Sequence, residues 1–196
     1  VSAECDLKCY YKYDYPLSTT VVTNKGDYLD FNYTKSGNPP VEYNSLEMTV
    51  SDMRLYIPSL HTFNNTKADG EIIISHVGNG ESLLVCIPIK VSIEDTPGAK
   101  NLKDIIALAS KQIPSTTNSA TFNIKNFTLN NFIPKGPYYS YTATLPYEPC
   151  SGSHNYIVFD KLSAIPIDPK SFTILSDIIL KQEIENKPTQ SLYYNK

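Results

Sequence analysis

Apolar and polar positions alternate along this chain with the period of a β-strand. Residues 21–23, 28–33, 47–56, 71–76 and 83–91 are rich in β-branched and aromatic side chains, which suit a pleated, half-buried surface. Turn-forming residues separate them: Asn24-Lys25-Gly26-Asp27, Ser36-Gly37-Asn38-Pro39-Pro40, Asp69-Gly70 and Gly78-Asn79-Gly80. Further strands are predicted over 120–123, 138–145 and 155–159. The longest apolar run, 82–89, is too short to cross a membrane as a helix and suits a strand buried on both faces. Two stretches follow the helical period instead. In 101–111 the residues Leu102, Ile105, Ile106 and Leu108 share a side and Pro114 follows; 171–180 follows Asp168-Pro169, a helix-start signal. Alternating tyrosines at 11, 13 and 15 predict a strand with one aromatic face, and the polar tail over 182–196 predicts irregular chain.

The pattern describes a mainly β protein with a few surface helices, and 196 residues suffice for one domain over the whole chain. No signal-peptide pattern opens it. Composition narrows the function classes. The net charge of −3 lacks the basic field that non-specific nucleic-acid binding needs. Arg54 is the only arginine, which weakens any case for a polyanion site. Neither a phosphate-binding glycine loop nor a G-x-S-x-G nucleophile motif occurs. Three histidines, His61, His76 and His154, are scattered along the chain, and His154 is expected in an exposed loop. Four cysteines stand at 5, 9, 86 and 150 without zinc-finger spacing, and Cys86, inside an apolar run, reads as a buried free thiol. Sequons at Asn32, Asn64 and Asn126 are candidate glycosylation sites.

Four segments in order resemble α-carbonic anhydrases. Thr23-Asn24-Lys25-Gly26-Asp27-Tyr28 is similar to that family's N-x-G-H strand opening. Leu55-Tyr56-Ile57-Pro58-Ser59-Leu60-His61-Thr62, followed by Glu71 through His76, is similar to H-F-H-x-P-S-E-H-T and E-x-H-x-x-H. Residues 138–151, ending Glu148-Pro149-Cys150-Ser151, resemble Y-Y-x-Y-x-G-S-L-T-T-P-P-C-S, with Tyr156-Ile157-Val158-Phe159 matching W-x-V-F. Asn186-Lys187-Pro188-Thr189-Gln190-Ser191-Leu192 resembles the closing N-x-R-P-x-Q-x-L. The resemblance implies the family's twisted, mainly antiparallel central sheet. It also implies an N-terminally trimmed version, because the Trp-rich lead is missing and the chain has no Trp.

The resemblance further implies that the chemistry is gone. The family's three zinc-binding histidines fall on Arg54, Tyr56 and Ile73. Its hydroxide-orienting Thr falls on Pro146, the next Thr on Tyr147, the Glu partner on Leu60 and the proton-shuttling His on Asp27. A guanidinium offers no lone pair and isoleucine cannot coordinate, so neither metal nor other cofactor is expected. His61, Glu71 and His76 match residues that support the ligands. The expectation is that they persist structurally; a relocated metal site built from His61, His76 and a carboxylate is the sharper alternative. The family commonly joins an N-terminal cysteine to its P-P-C cysteine, which implies Cys150 bonded to Cys5 or Cys9. The Asn, Lys, Ile and Tyr bias, with loss of all three ligands, looks most like the zinc-less carbonic anhydrase-like proteins of large DNA viruses. A non-catalytic component of a virion, in its capsid or on its surface, contacting other coat or surface proteins, is the function expected. The tyrosine-rich N-terminal strand is its candidate interface. A secreted or surface adhesion domain binding host glycan or receptor, and a residual metalloenzyme, are the alternatives.

Overall fold

The computed structural model describes residues 9–33, 38–113 and 121–179, together with the backbone of 193–195. In chain order the strands are β1 (Tyr11–Tyr13), β2 (Ser18–Asn24), β3 (Leu29–Tyr33), β4 (Val41–Tyr43), β5 (Leu46–Tyr56), β6 (Thr62–Phe63), β7 (Thr66–Lys67), β8 (Gly70–Gly78), β9 (Glu81–Val91), β10 (Thr121–Phe127), β11 (Tyr138–Ala143), β12 (His154–Phe159), β13 (Ile165–Ile167) and β14 (Tyr193–Asn195). The helices are α1 (Pro97–Gln112) and α2 (Pro169–Ile178). A large sheet runs in the order β10-β2-β3-β5-β8-β9-β12-β11-β14, with β4 joining β1 to β5 and β13 lying beside β9. Its pairings are antiparallel except those of β12 and β13 with β9, which are parallel.

The central strands are apolar without alternation because both of their faces are buried. On β9, Leu83, Val85, Ile87 and Ile89 enter a large core, while Leu84 and Cys86 enter a smaller one on the opposite face. On β8, Ile72 and Ile74 face the large core and Ile73 the small one. The two clusters therefore sandwich the sheet.

β5 reaches both cores through a bulge. Its register against β8 shifts between Val50 and Asp52. Before the shift Met48 and Val50 face the large core; after it Met53 and Leu55 do. One extra residue exchanges the faces of everything beyond it. That exchange turns Tyr56, and Arg54 two residues before it, toward the small core, where Tyr56 packs.

Helix α1 begins at Thr96, whose side chain accepts the Ala99 N–H at 3.1 Å, with Pro97 in the first turn. It buries Leu102, Ile105, Ile106 and Ala109. Leu108, expected on the buried side, is 36% exposed, because Ala109 holds the inward position of that turn. Helix α2 is capped by Asp168, whose carboxylate accepts the Ser171 N–H at 3.0 Å. It packs against α1.

Two other expectations change. The aromatic face of β1 points inward: Tyr11 and Tyr13 pack against the large core and Tyr15 is fully buried, so that strand does not present an aromatic interface. The tail, expected to be irregular, supplies β14, which pairs Tyr193–Asn195 with the start of β11.

Candidate functional site

The small core is where the family-like positions meet. Arg54 lies directly across from Ile73 in the β5–β8 register, and Tyr56 across from Glu71. Arg54, Tyr56 and Ile73 thus occupy one patch of one sheet face, the arrangement that the resemblance implied for a metal seat.

What fills the patch is an arginine held by aromatic rings. The Arg54 guanidinium carbon lies 4.0 Å from the Tyr147 ring centre and 4.9 Å from that of Tyr28. Its Nε donates to Asp52 Oδ2 at 3.1 Å, and a terminal nitrogen reaches the same oxygen at 3.1 Å. The other terminal nitrogen donates to the Tyr56 hydroxyl at 3.4 Å. Tyr56 stacks on Tyr147 with ring centres 6.2 Å apart, and Tyr147 in turn lies 3.5 Å from Ser75 by their hydroxyls. Cation–π and ion-pair contacts gain strength where water is partly excluded, and this side chain is only 21% exposed. Opposite Arg54 on β3 stands Asp30. Burial, and then the neighbouring Asp52 carboxylate, push its pKa up.

The remaining family-like positions are mostly buried. Leu60 is fully buried in the small core, and Tyr147 and Pro146 are buried as well. Asp27 is half-buried at the turn before β3. The patch offers one permanent cation, a neutral phenol whose pKa is raised by burial, and a hydrocarbon. None of these fits a divalent zinc ion, and a +2 ion there would face the Arg54 charge directly.

Of the three supporting residues, two are brought together and one is not. His61 Nδ1 lies 2.5 Å from Glu71 Oε1, while Glu71 Oε2 accepts the backbone N–H groups of Leu60 at 2.8 Å and His61 at 3.1 Å. The Cys86 thiol belongs to the same neighbourhood: one donor atom each from His61, Glu71 and Cys86 fall within 4.8 Å of one another. His76 lies on the opposite face, at the far end of β8. Its Nδ1–H donates to the Leu83 carbonyl at 3.2 Å and its Nε2 accepts from the Tyr15 hydroxyl at 2.8 Å. Tyr15 in turn contacts the Tyr11 hydroxyl at 2.9 Å. Burial lowers the His76 pKa to about 4, which keeps the ring neutral. A site combining His61 with His76 is therefore not assembled.

The implied Cys150 disulfide is also corrected. Cys9 is disulfide-bonded, its partner lying outside the described residues, and Cys86 and Cys150 are free thiols. The Cys9 carbonyl accepts from Tyr138, at one end of β11 on the large-core face. Cys150 bonds to Tyr147, beyond the other end and on the small-core side. The length of β11 alone is roughly 16 Å at about 3.3 Å per residue, and a disulfide needs its Cα atoms within about 7 Å. Cys86 is buried as expected. His154 is half-buried rather than exposed, 2.5 Å from the Ser82 hydroxyl. Asn32, Asn64 and Asn126 are all exposed, Asn64 and Asn126 with left-handed backbone.

Sequence reasoning missed Tyr28, Asp52 and Cys86 as neighbours of the patch. The Asp52-x-Arg54 spacing was a local signal for one of them; Cys86 could be found only through the β8–β9 register.

No protein-family model matches the chain, and no curated protein matches it by sequence. Its likeness is to solved structures. Dioscorin, in a structure complexed with ascorbate, superposes with a TM-score of 0.78 at 18% identity, covering 96% of this chain and 79% of that one. The α-carbonic anhydrase of Photobacterium profundum gives 0.76 at 16% identity, covering 95% and 81%. A fungal α-carbonic anhydrase from Aspergillus oryzae gives 0.73 at 20% identity, covering 92% and 75%. At these identities the likeness establishes the architecture: this chain has the α-carbonic anhydrase fold.

Proposed function

We propose that this chain is a non-catalytic carbonic anhydrase-like domain that serves as a structural or interaction component of a virus particle. The observation that carries the first half is the Arg54 guanidinium, clamped between Tyr147 and Tyr28 and tied to Asp52 and Tyr56. Hydration of carbon dioxide by a zinc-bound hydroxide needs an ion that lowers the pKa of its water. Here the corresponding positions hold a fixed positive charge, a neutral phenol and an isoleucine.

The virion half rests on composition and on the resemblance already described. With a net charge of −3, binding to polyanionic host glycans is the weaker reading.

Two experiments test the proposal. Purified protein supplied with zinc is expected to show no carbon dioxide hydration or ester hydrolysis above background; zinc-dependent turnover would overturn the non-catalytic reading. Cross-linking mass spectrometry on native source material is expected to join this chain to an abundant coat protein. Its absence from particles would turn the assignment toward adhesion and a glycan and receptor screen.

A further inference from the structure

Beside the arginine patch, the small core holds a set of side chains that the proposal above does not use. The β8–β9 register places Cys86 across from Ile73, and Glu71 precedes Ile73 by two residues on the same strand face. His61 arrives from the loop after β5, fixed there by the two backbone N–H groups that Glu71 Oε2 accepts. All three residues are buried. We propose that His61 Nδ1, Glu71 Oε1 and Cys86 Sγ form a buried structural site for a zinc-class divalent cation, separate from the Arg54, Tyr56 and Ile73 positions.

The donor set is one imidazole nitrogen, one thiolate sulfur and one carboxylate oxygen, all of which zinc accepts. Metal–ligand bonds of about 2.0–2.3 Å place tetrahedral donors roughly 3.3–3.7 Å apart. The His61–Glu71 contact, 2.5 Å, must therefore open, and the thiol, within 4.8 Å, must close, each by about 1 Å.

Charge favours the exchange. Zinc takes cysteine as its thiolate, so loading displaces the Cys86 proton. Loading sends that proton to solvent, and the His61 Nδ1 proton moves to Nε2, so that the ring binds through Nδ1 as a neutral imidazole in place of its hydrogen bond to Glu71. The product holds one divalent ion, one carboxylate, one thiolate and a neutral imidazole. That ensemble is electroneutral, the state a buried site tolerates. The site is sealed: the rings of Tyr141 and Tyr156 lie edge-on to the His61 ring at 6.4 and 5.7 Å and stack on each other at 4.9 Å. The three side chains supply three of zinc's four positions, and because all three donors are buried the fourth would face the protein interior rather than bulk solvent, so the ion would stabilise the fold rather than turn over substrate. Because a proton is lost on loading, affinity weakens by about ten-fold for each pH unit lowered.

The test uses the full chain in a Cys150→Ser background, so that the exposed thiol contributes no ligand. Protein refolded with its disulfide intact, in zinc or cobalt(II) chloride and then desalted, is analysed for metal content. The expected result is one metal per chain, a thiolate-to-cobalt charge-transfer band in the near ultraviolet, and a zinc-dependent rise in Tm. Adding Cys86→Ser should preserve the circular dichroism spectrum, abolish the band and weaken binding by about ten-fold or more. Refolded protein with less than a tenth of an equivalent of metal would overturn the proposal, as would metal retained unchanged in the Cys86→Ser variant. The zinc-loaded protein should remain inactive toward carbon dioxide; activity would overturn the non-catalytic reading while leaving this site standing.

Discussion

The two faces of the sheet solve different problems. The large core, on the face covered by α1 and α2, is mainly aliphatic, with Phe31, Phe127 and Phe132 packed ring to ring and Tyr15, Tyr33, Tyr43 and Tyr138 among its buried side chains. Its main polar intrusion is a chain from Tyr11 through Tyr15 to His76 and the Leu83 carbonyl, in which every link is a neutral hydrogen bond. The small core is built of tyrosines around ionised or ionisable groups: Arg54 with Asp52, and His61 with Glu71. The difference teaches how one sheet holds two kinds of core. The large core sets the fold by apolar burial, and the small core holds its charged and polar side chains because they satisfy one another.

The largest expected effect comes from removing an anchor of the small core. Glu71→Ala strands the Leu60 and His61 N–H groups and leaves His61 without its carboxylate partner. The expected loss is about 3–5 kcal/mol, from three buried hydrogen bonds to one carboxylate, read by urea unfolding. A loss below about 1 kcal/mol would show that the site face contributes little to the fold.

The second prediction sharpens the contrast through pH. In the unfolded chain His76 titrates near 6.5, and in the fold burial lowers it to about 4. Protonation therefore favours the unfolded chain. Above pH 6.5 the ring is neutral in both states and contributes no pH dependence. As the pH falls from 6.5 to 4, stability should drop by about 3 kcal/mol at 1.36 kcal/mol per pKa unit. A His76→Gln variant, followed by denaturant midpoint over that window, should lack this component. An identical slope in both proteins would remove His76 as its source.

The smallest effect is expected at Arg54. Arg54→Met keeps most of the packing volume but removes the cation over Tyr147 and leaves Asp52 unpaired. Partial exposure limits the cost to about 1–2 kcal/mol. A loss as large as that of Glu71→Ala would mean that the arginine, rather than the His61–Glu71 pair, organises this face.

Much of this was legible in the residues. β-branched runs separated by Gly, Asn and Pro located the long strands within a few residues, and the unbroken apolar run ending at Ile89 identified a strand buried on both faces. The Thr96-Pro97 helix start was present but passed over, so α1 begins four residues earlier than its apolar period alone indicates. β13, Ile165–Ile167, has a proline at its centre and three residues in all, too few for a period to show. The bulge between Val50 and Asp52 left no mark in composition, yet it decides which face Arg54 occupies. Motif order placed Arg54, Tyr56 and Ile73 together. It could not show that Tyr28 and Tyr147 would sandwich the guanidinium, since those contacts join strands distant in sequence. The Cys9 form of the family-derived disulfide failed because Cys9 and Cys150 lie toward opposite ends of β11, and Cys5 lies outside the described residues.

The most direct test of the central claim puts histidines at the three family-like positions. Arg54→His, Tyr56→His and Ile73→His, combined in a Cys86→Ser background, put three imidazoles on adjacent strands within one face. If this patch is the rebuilt metal seat, the folded triple variant gains one zinc per chain, measured by titration calorimetry, and the Cys86→Ser parent gains none. A triple variant that folds, shows an unchanged circular dichroism spectrum and binds no zinc would contradict the account.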